Sequence, residues 1–155
     1  MGPSRTPTRP SRSATAEPAV DLEAARDFIR HNSRSVLCTT RADGTPQLSP
    51  VNATVDTAGR VVVSSRETAF KVRHLRRDPR ACLLVMNDAF YGPWVQVEGE
   101  TDIVSLPEAM EPLVDYYRAV AGEHPDWDEY REAMRAEQRC LIRLAVTRAG
   151  PDRSG

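Results

Sequence analysis

The sequence predicts a mainly β protein with peripheral helices (α+β), six antiparallel strands curled into a closed or split barrel. Three observations carry this. Short strand-like runs follow one another closely: SVLCTT, PQLSPVNATV, VVVSS, ACLLVM, WVQVEGETDI and CLIRLAV. The turns Arg41-Ala-Asp-Gly44 and Asp56-Thr-Ala-Gly-Arg60 have the Asp/Gly chemistry that hairpins need. The helical patterns lie before the strands or are inserted between them, the largest pair between strands five and six, which leaves the strands free to form one curled sheet.

Taken in order, residues 1–18 hold Pro3, Pro7, Pro10 and Pro18 with Arg5, Arg9 and Arg12 and almost no apolar side chains. Such a segment cannot offset its ordering entropy, so it is expected to be a disordered arm. The folded domain is expected over residues 19–148, followed by a flexible tail over 149–155. Asp21 can cap a helix to about His31, with Leu22, Ala25, Phe28 and Ile29 on one face. Strand one is Ser35–Thr40. Strand two, Pro46–Val55, contains Pro46 and Pro50, which lack an amide donor and argue for an edge or irregular strand, not a central one. Strand three is Val61–Ser65. A short cationic helix is expected from Thr68 to Arg76, stopped before Pro79. Strand four, Ala81–Met86, is uniformly apolar, the pattern of a strand buried on both faces. Strand five is Trp94–Ile103. Ser105-Leu-Pro-Glu108 and Asp126-Trp-Asp-Glu129 both read as capping boxes, the first helix ending at Gly122. Strand six is Cys140–Val146.

With 155 residues, 40% apolar and 28% charged, the composition is that of a soluble globule. A net charge of −1 argues against a general nucleic-acid binder, and the arginines lack an aromatic stacking platform. The charge is uneven: Arg66, Lys71, Arg73, Arg76, Arg77 and Arg80 face only Glu67 and Asp78, whereas acids dominate from Glu98 to Glu137. That separation can steer an anion to one place. Lys71 is the only lysine beside twenty arginines. Cys38, Cys82 and Cys140 are odd in number, far apart and set in apolar runs, so they read as buried thiols in a reducing cytoplasm. No apolar run approaches the roughly 20 residues of a membrane span, so no membrane partner is expected.

Conventional catalytic signals are missing. There is no GxSxG, no GxGxxG after a strand and no Walker lysine motif. His31, His74 and His124 lack the spacing of metal ligands, so no metal is expected. What remains is an anion site. Ser64 and Ser65 end strand three, and the helix behind them offers unpaired amides, a positive dipole end and Lys71 in its first turn. Amides and hydroxyls to position a phosphate, with a cation to offset its charge, are what phosphate recognition requires. Arg73, Arg76 and Arg77 would extend the positive field. The alternative is a basic, solvated helix face.

The ordering VLCTTRADGTPQLSPV, VVVSS, KVRHLRRDPRACLLV and VQVEGE resembles the flavin-reductase-like split β-barrel family, also called the pyridoxamine 5′-phosphate oxidase-like fold. The segment Ala121-Gly-Glu-His-Pro-Asp-Trp-Asp-Glu-Tyr-Arg131 is similar to one found in the deazaflavin (coenzyme F420)-dependent branch. The resemblance spans about Ser35 to Val146. It implies a six-stranded antiparallel split β-barrel, a homodimer with cofactor at the subunit interface, and a cytoplasmic oxidoreductase. It also implies hydride transfer between reduced deazaflavin and an electron-poor acceptor such as a quinone or enone. By the match, Lys71, Ser64 and Ser65 would hold the phosphodiester and Phe70 would pack nearby. Gln47, Pro50, Val51 and Asn52 would border the tricyclic ring, and Trp94 would wall the pocket. Relatives often carry a cation at the position of Ala69, for which Arg66 is the candidate replacement. No side chain is assigned as a catalytic acid or base. FMN is the alternative cofactor, since it also ends in a phosphate. A non-catalytic cofactor carrier is the alternative to an enzyme.

Overall fold

The structure, a computed structural model, describes residue 2 and residues 19–153. The arm expected over residues 1–18 therefore lies outside the described residues, apart from Gly2. Seven strands form one antiparallel sheet: β1 (Arg34–Thr40), β2 (Pro46–Asn52), β3 (Thr54–Val55), β4 (Val61–Arg66), β5 (Arg80–Met86), β6 (Trp94–Val104) and β7 (Arg139–Asp152). Their order across the sheet is β2-β1-β5-β6-β7-β4-β3. The two ends, β2 and β3, are consecutive in the chain, so the sheet curls until its edges meet at Ala53. This is the expected mainly β, antiparallel half-barrel with four helices.

The seventh strand arises from the expected strand two. Its first part pairs with β1, from Thr40 opposite Pro46 to Arg34 opposite Asn52. After Ala53 the chain changes partner, and Thr54 and Val55 pair with Val62 and Val61 of β4. Ala53 is fully buried, and its amide donates to the Ser33 carbonyl at 2.8 Å. β7 runs six residues past the expected Val146. Val95 lies opposite Asp152 and Val97 opposite Ala149, so residues 149–152, expected as tail, are strand.

Helix α1 (Leu22–His31) starts where expected: the Asp21 carboxylate accepts from the Ala24 amide at 3.0 Å, and Ala25 and Ile29 turn inward. Helix α4 (Trp127–Ala136) is capped by Asp126, which accepts from the amides of Asp128 and Glu129. Helix α2 (Phe70–Arg77) begins two residues later than expected, behind Ala69, with no side-chain cap from Thr68. Helix α3 (Met110–Ala121) follows Ala109 and stops at Gly122, whose φ of 83° suits glycine. The Ser105 capping box does not form, because the Ser105 hydroxyl donates to Glu67 at 2.6 Å instead.

The main core fills the barrel with Leu37, Val61, Val63, Leu83, Val85, Val97 and Ile142, closed at one end by α1 and by Val72 and Leu75 of α2. A second cluster lies under α3 and α4, where Leu113, Val114, Tyr130 and Met134 pack on Val62 and Leu141. β5 is not buried on both faces: Ala81, Leu83 and Val85 point into the core, while Cys82, Leu84 and Met86 are half-buried on the outside. Cys140 is buried as expected, but Cys38 and Cys82 are only half-buried. Among the described residues no helix is long and apolar enough to cross a membrane.

Candidate functional site

Because the sheet closes through a chain crossing at Ala53 and not through a ladder, β2 and β4 remain unpaired with each other beyond that point. A cleft of about 460 Å³ opens between them. Pro50 and Val51 form one lip, Ser64, Ser65 and Arg66 the other, and Thr68, Ala69, Lys71 and Arg139 close the end. Strand alternation explains the lips. Gln47, Ser49 and Val51 point inward from β2 and are half-buried, whereas Leu48, Pro50 and Asn52 point outward and are exposed.

The chain leaves β4 at Arg66 and turns directly into α2, which brings the start of that helix to the cleft. Val72 and Arg73 already bond the Ala69 carbonyl, at 3.1 and 3.3 Å, and no side chain caps the amides before them. These amides present the positive end of the helix dipole. Lys71 is half-buried and, among the described residues, forms no ion pair. Burial, and then the neighbouring Arg139, push its ammonium below the usual lysine range. Arg139 lies directly opposite Arg66 in the β4–β7 register. Glu137 accepts from Arg139 Nε at 2.6 Å and sits 3.8 Å from Arg66. Three cations thus converge on the cleft against one carboxylate.

Among the described residues, three buried side-chain polar atoms lack a hydrogen-bond partner: Ser65 Oγ, Ser49 Oγ and Gln47 Oε1. An unsatisfied buried hydroxyl costs on the order of 1–3 kcal/mol, so such atoms point to a missing partner. Ser65 is one of the residues lining the cationic cleft, and its unpartnered hydroxyl, the free helix amides, Lys71 and Arg139 make up a donor set suited to a phosphate ester. The residues present therefore fit the phosphate end of a flavin-type cofactor. Among the described residues, the lining of this cleft includes no carboxylate or imidazole.

The cleft gathers Lys71, Ser64, Ser65, Pro50 and Val51, five of the residues singled out by sequence. The other four lie elsewhere. Gln47 is further along the inward side of β2, and Asn52 turns outward. Phe70 is 68% exposed, its ring 5.7 Å from the Arg73 guanidinium. Trp94 stands opposite Met86 at the far end of β5 and β6. The wider positive field also contracts, since Arg76 is bound to Glu67 at 2.6 Å and Arg77 donates to the Thr40 carbonyl. Arg139 was missed, because only the pairing of β4 with β7 brings it to Lys71. Tyr116 was missed too. Its hydroxyl donates to the Asn52 carbonyl at 2.8 Å, tying α3 to the tip of the β2 lip, and burial raises the phenol above its usual pKa.

The family model described as pyridoxamine 5′-phosphate oxidase matches residues 22–150. Among solved structures, a conserved hypothetical protein of Mycobacterium tuberculosis is 25% identical, covering 93% of this chain and 88% of that one, with a TM-score of 0.68. An F420 reductase is 20% identical over 81% of this chain and 94% of its own, with a TM-score of 0.63. A heme binding protein of Mycobacterium smegmatis, also 20% identical and with a TM-score of 0.63, matches 83% of this chain but only 52% of that one. At that identity the last two share the fold.

Proposed function

The chain belongs to the pyridoxamine 5′-phosphate oxidase family, and on that premise we propose that it is a coenzyme F420-dependent oxidoreductase. One observation carries the reading: Lys71, with no carboxylate of its own, faces Arg139 beside a Ser65 hydroxyl that has no partner. An anion placed there would relieve the repulsion between the cations and complete the hydrogen bonding of Ser65. When bound, the deazaflavin would supply hydride to an electron-poor acceptor such as a quinone or enone. The protein's part is to bind and orient. Lys71, Ser64, Ser65 and the first amides of α2 hold the phosphodiester, and Pro50 and Val51 give an apolar lip.

Similarity in fold to an F420 reductase supports deazaflavin over FMN, although the phosphate site would accept either. A homodimer has its own support. The outward faces of β1, β2, β5 and β6 carry Val36, Leu48, Pro50, Leu84, Met86 and Trp94 side by side, an apolar strip that begins at the lip of the cleft. A second copy covering that strip would also wall the cofactor on the side where this chain leaves it open.

The test is a side-by-side fluorescence titration with oxidised coenzyme F420 and with FMN, followed by steady-state oxidation of reduced coenzyme with quinones and enones. Tight F420 binding and turnover would support the proposal. FMN preference would overturn the cofactor, and binding without turnover would make the protein a carrier.

A further inference from the structure

Away from the cleft, the β1–β5 ladder sets Cys38 directly opposite Cys82. Opposed residues in an antiparallel pair share a face and have Cα atoms roughly 4.5–5.5 Å apart. That spacing falls inside the range of about 4.4–6.8 Å over which disulfides close. Both thiols are on the outer face, since their neighbours Leu37 and Leu83 fill the core. Both are half-buried, and the Cys38 thiol is close enough to help raise the Cys82 thiol above its ordinary range. They open onto a shallow depression of about 740 Å³, walled by Thr40, Arg80, Glu98 and Thr147. Cys38 also stands directly opposite Leu48, so the two thiols sit where the outer strip gives way to polar side chains. The depression gives a small oxidant a path to the sulfurs of the single chain.

We propose that Cys38 and Cys82 are a redox modification site at which hydrogen peroxide closes an intrachain disulfide across β1 and β5. One sulfur, as thiolate, attacks a peroxide oxygen; the O–O bond breaks, and the departing hydroxide takes up a proton to leave as water. The resulting sulfenic acid is attacked by the second sulfur, the S–O bond breaks, and a second water leaves. Together the two thiols give up two electrons and two protons, and one peroxide becomes two waters. Cys82 reacts slowly at rest, because burial, and then Cys38 beside it, push its thiol up to about 11. The bond would have a structural consequence for the cleft. The covalent loop from residue 38 to residue 82 contains β2, β4 and α2, hence both lips and Lys71. Cys140, fully buried opposite Ser65, stays outside it.

The experiment treats the reduced full chain with hydrogen peroxide in a buffer free of thiols, then alkylates it after unfolding and maps non-reduced peptides by mass. The expected product is a monomeric chain lighter by two hydrogens, with one alkylated cysteine, Cys140, and a peptide linking Cys38 to Cys82. Cys140→Ser should give the same link, while Cys38→Ser and Cys82→Ser should each abolish it. The oxidised form should also melt at a higher temperature than the reduced one. Three alkylated cysteines after treatment would overturn the proposal. So would sulfinic or sulfonic acid at Cys38 or Cys82 without a link, or a link between chains.

Discussion

On one flank of α2, Lys71 meets Arg139 and a Ser65 hydroxyl with no partner; on the other, Arg76 meets Glu67 and Ser105. The second flank is a closed account. Arg76 donates to one Glu67 oxygen and Ser105 to the other, both at 2.6 Å. Burial raises the Glu67 carboxyl, but the hydrogen bonds from Ser105 and Arg76 outweigh it and hold the group below its usual range. The first flank keeps like charges together and leaves a polar atom unmet. Eight residues of helix therefore carry one arrangement satisfied within the chain and another in which like charges meet beside an unpartnered hydroxyl.

The sharpest way to break this contrast is Lys71→Ala. It is expected to weaken cofactor binding tenfold or more, about 1.5–3 kcal/mol for a charged hydrogen bond. The thermal midpoint of the free protein should stay the same or rise, because an ammonium depressed by burial and Arg139 is removed. Fluorescence titration and a melt of the same sample read both, and a loss of stability with unchanged affinity would reverse the assignment of the two flanks.

Glu67→Gln should do the opposite, lowering stability by about 1–2 kcal/mol while leaving affinity alone. Its pH dependence has a definite sign. A carboxyl whose folded pKa is lowered contributes stability above its unfolded value of 4.5 and loses it as pH falls through the folded value. The gap between wild type and Glu67→Gln in denaturant midpoint should therefore be full at neutral pH and shrink below pH 4.5.

Arg139→Ala should cost the cofactor several-fold in affinity, on the order of 1 kcal/mol, less than Lys71 because Glu137 already shares that guanidinium. Tyr116→Phe is the smallest expected effect. Loss of its bond to the Asn52 carbonyl should lower stability by about 0.5–1.5 kcal/mol and weaken binding slightly, since the β2 lip is less firmly held. A denaturant melt with a parallel titration checks both variants.

The sequence disclosed what is decided locally. Asp21 and Asp126 cap helices because their partners are two or three residues away, and Gly122 ends α3 because of its own backbone. Pro46 and Pro50 did mark an edge strand. What depends on distant pairing stayed hidden. Ser105 has the pattern of a cap, yet its hydroxyl is taken by Glu67, 38 residues earlier in the chain. The break at Ala53 follows from which strand lies across from each half, and no residue there announces it. Arg139 joins Lys71 only through the β4–β7 register, and Cys38 and Cys82 looked like separate core thiols until the β1–β5 register set them opposite each other. Lys71, Ser64 and Ser65, singled out in the sequence, do share one cleft, whereas the register turns Asn52 outward and sets Trp94 opposite Met86.

The chain crossing at Ala53 turns the barrel into a clasp. Its two rims are joined by one buried alanine and tied near that point by the Tyr116 hydroxyl, while β2 is held along its whole length by β1 and β4 by β7. Each rim is the free edge of a strand paired on its other side. The spacing between the rims is set by the curl of the sheet at Ala53 and by the reach of Tyr116, two residues outside the lining of the cleft.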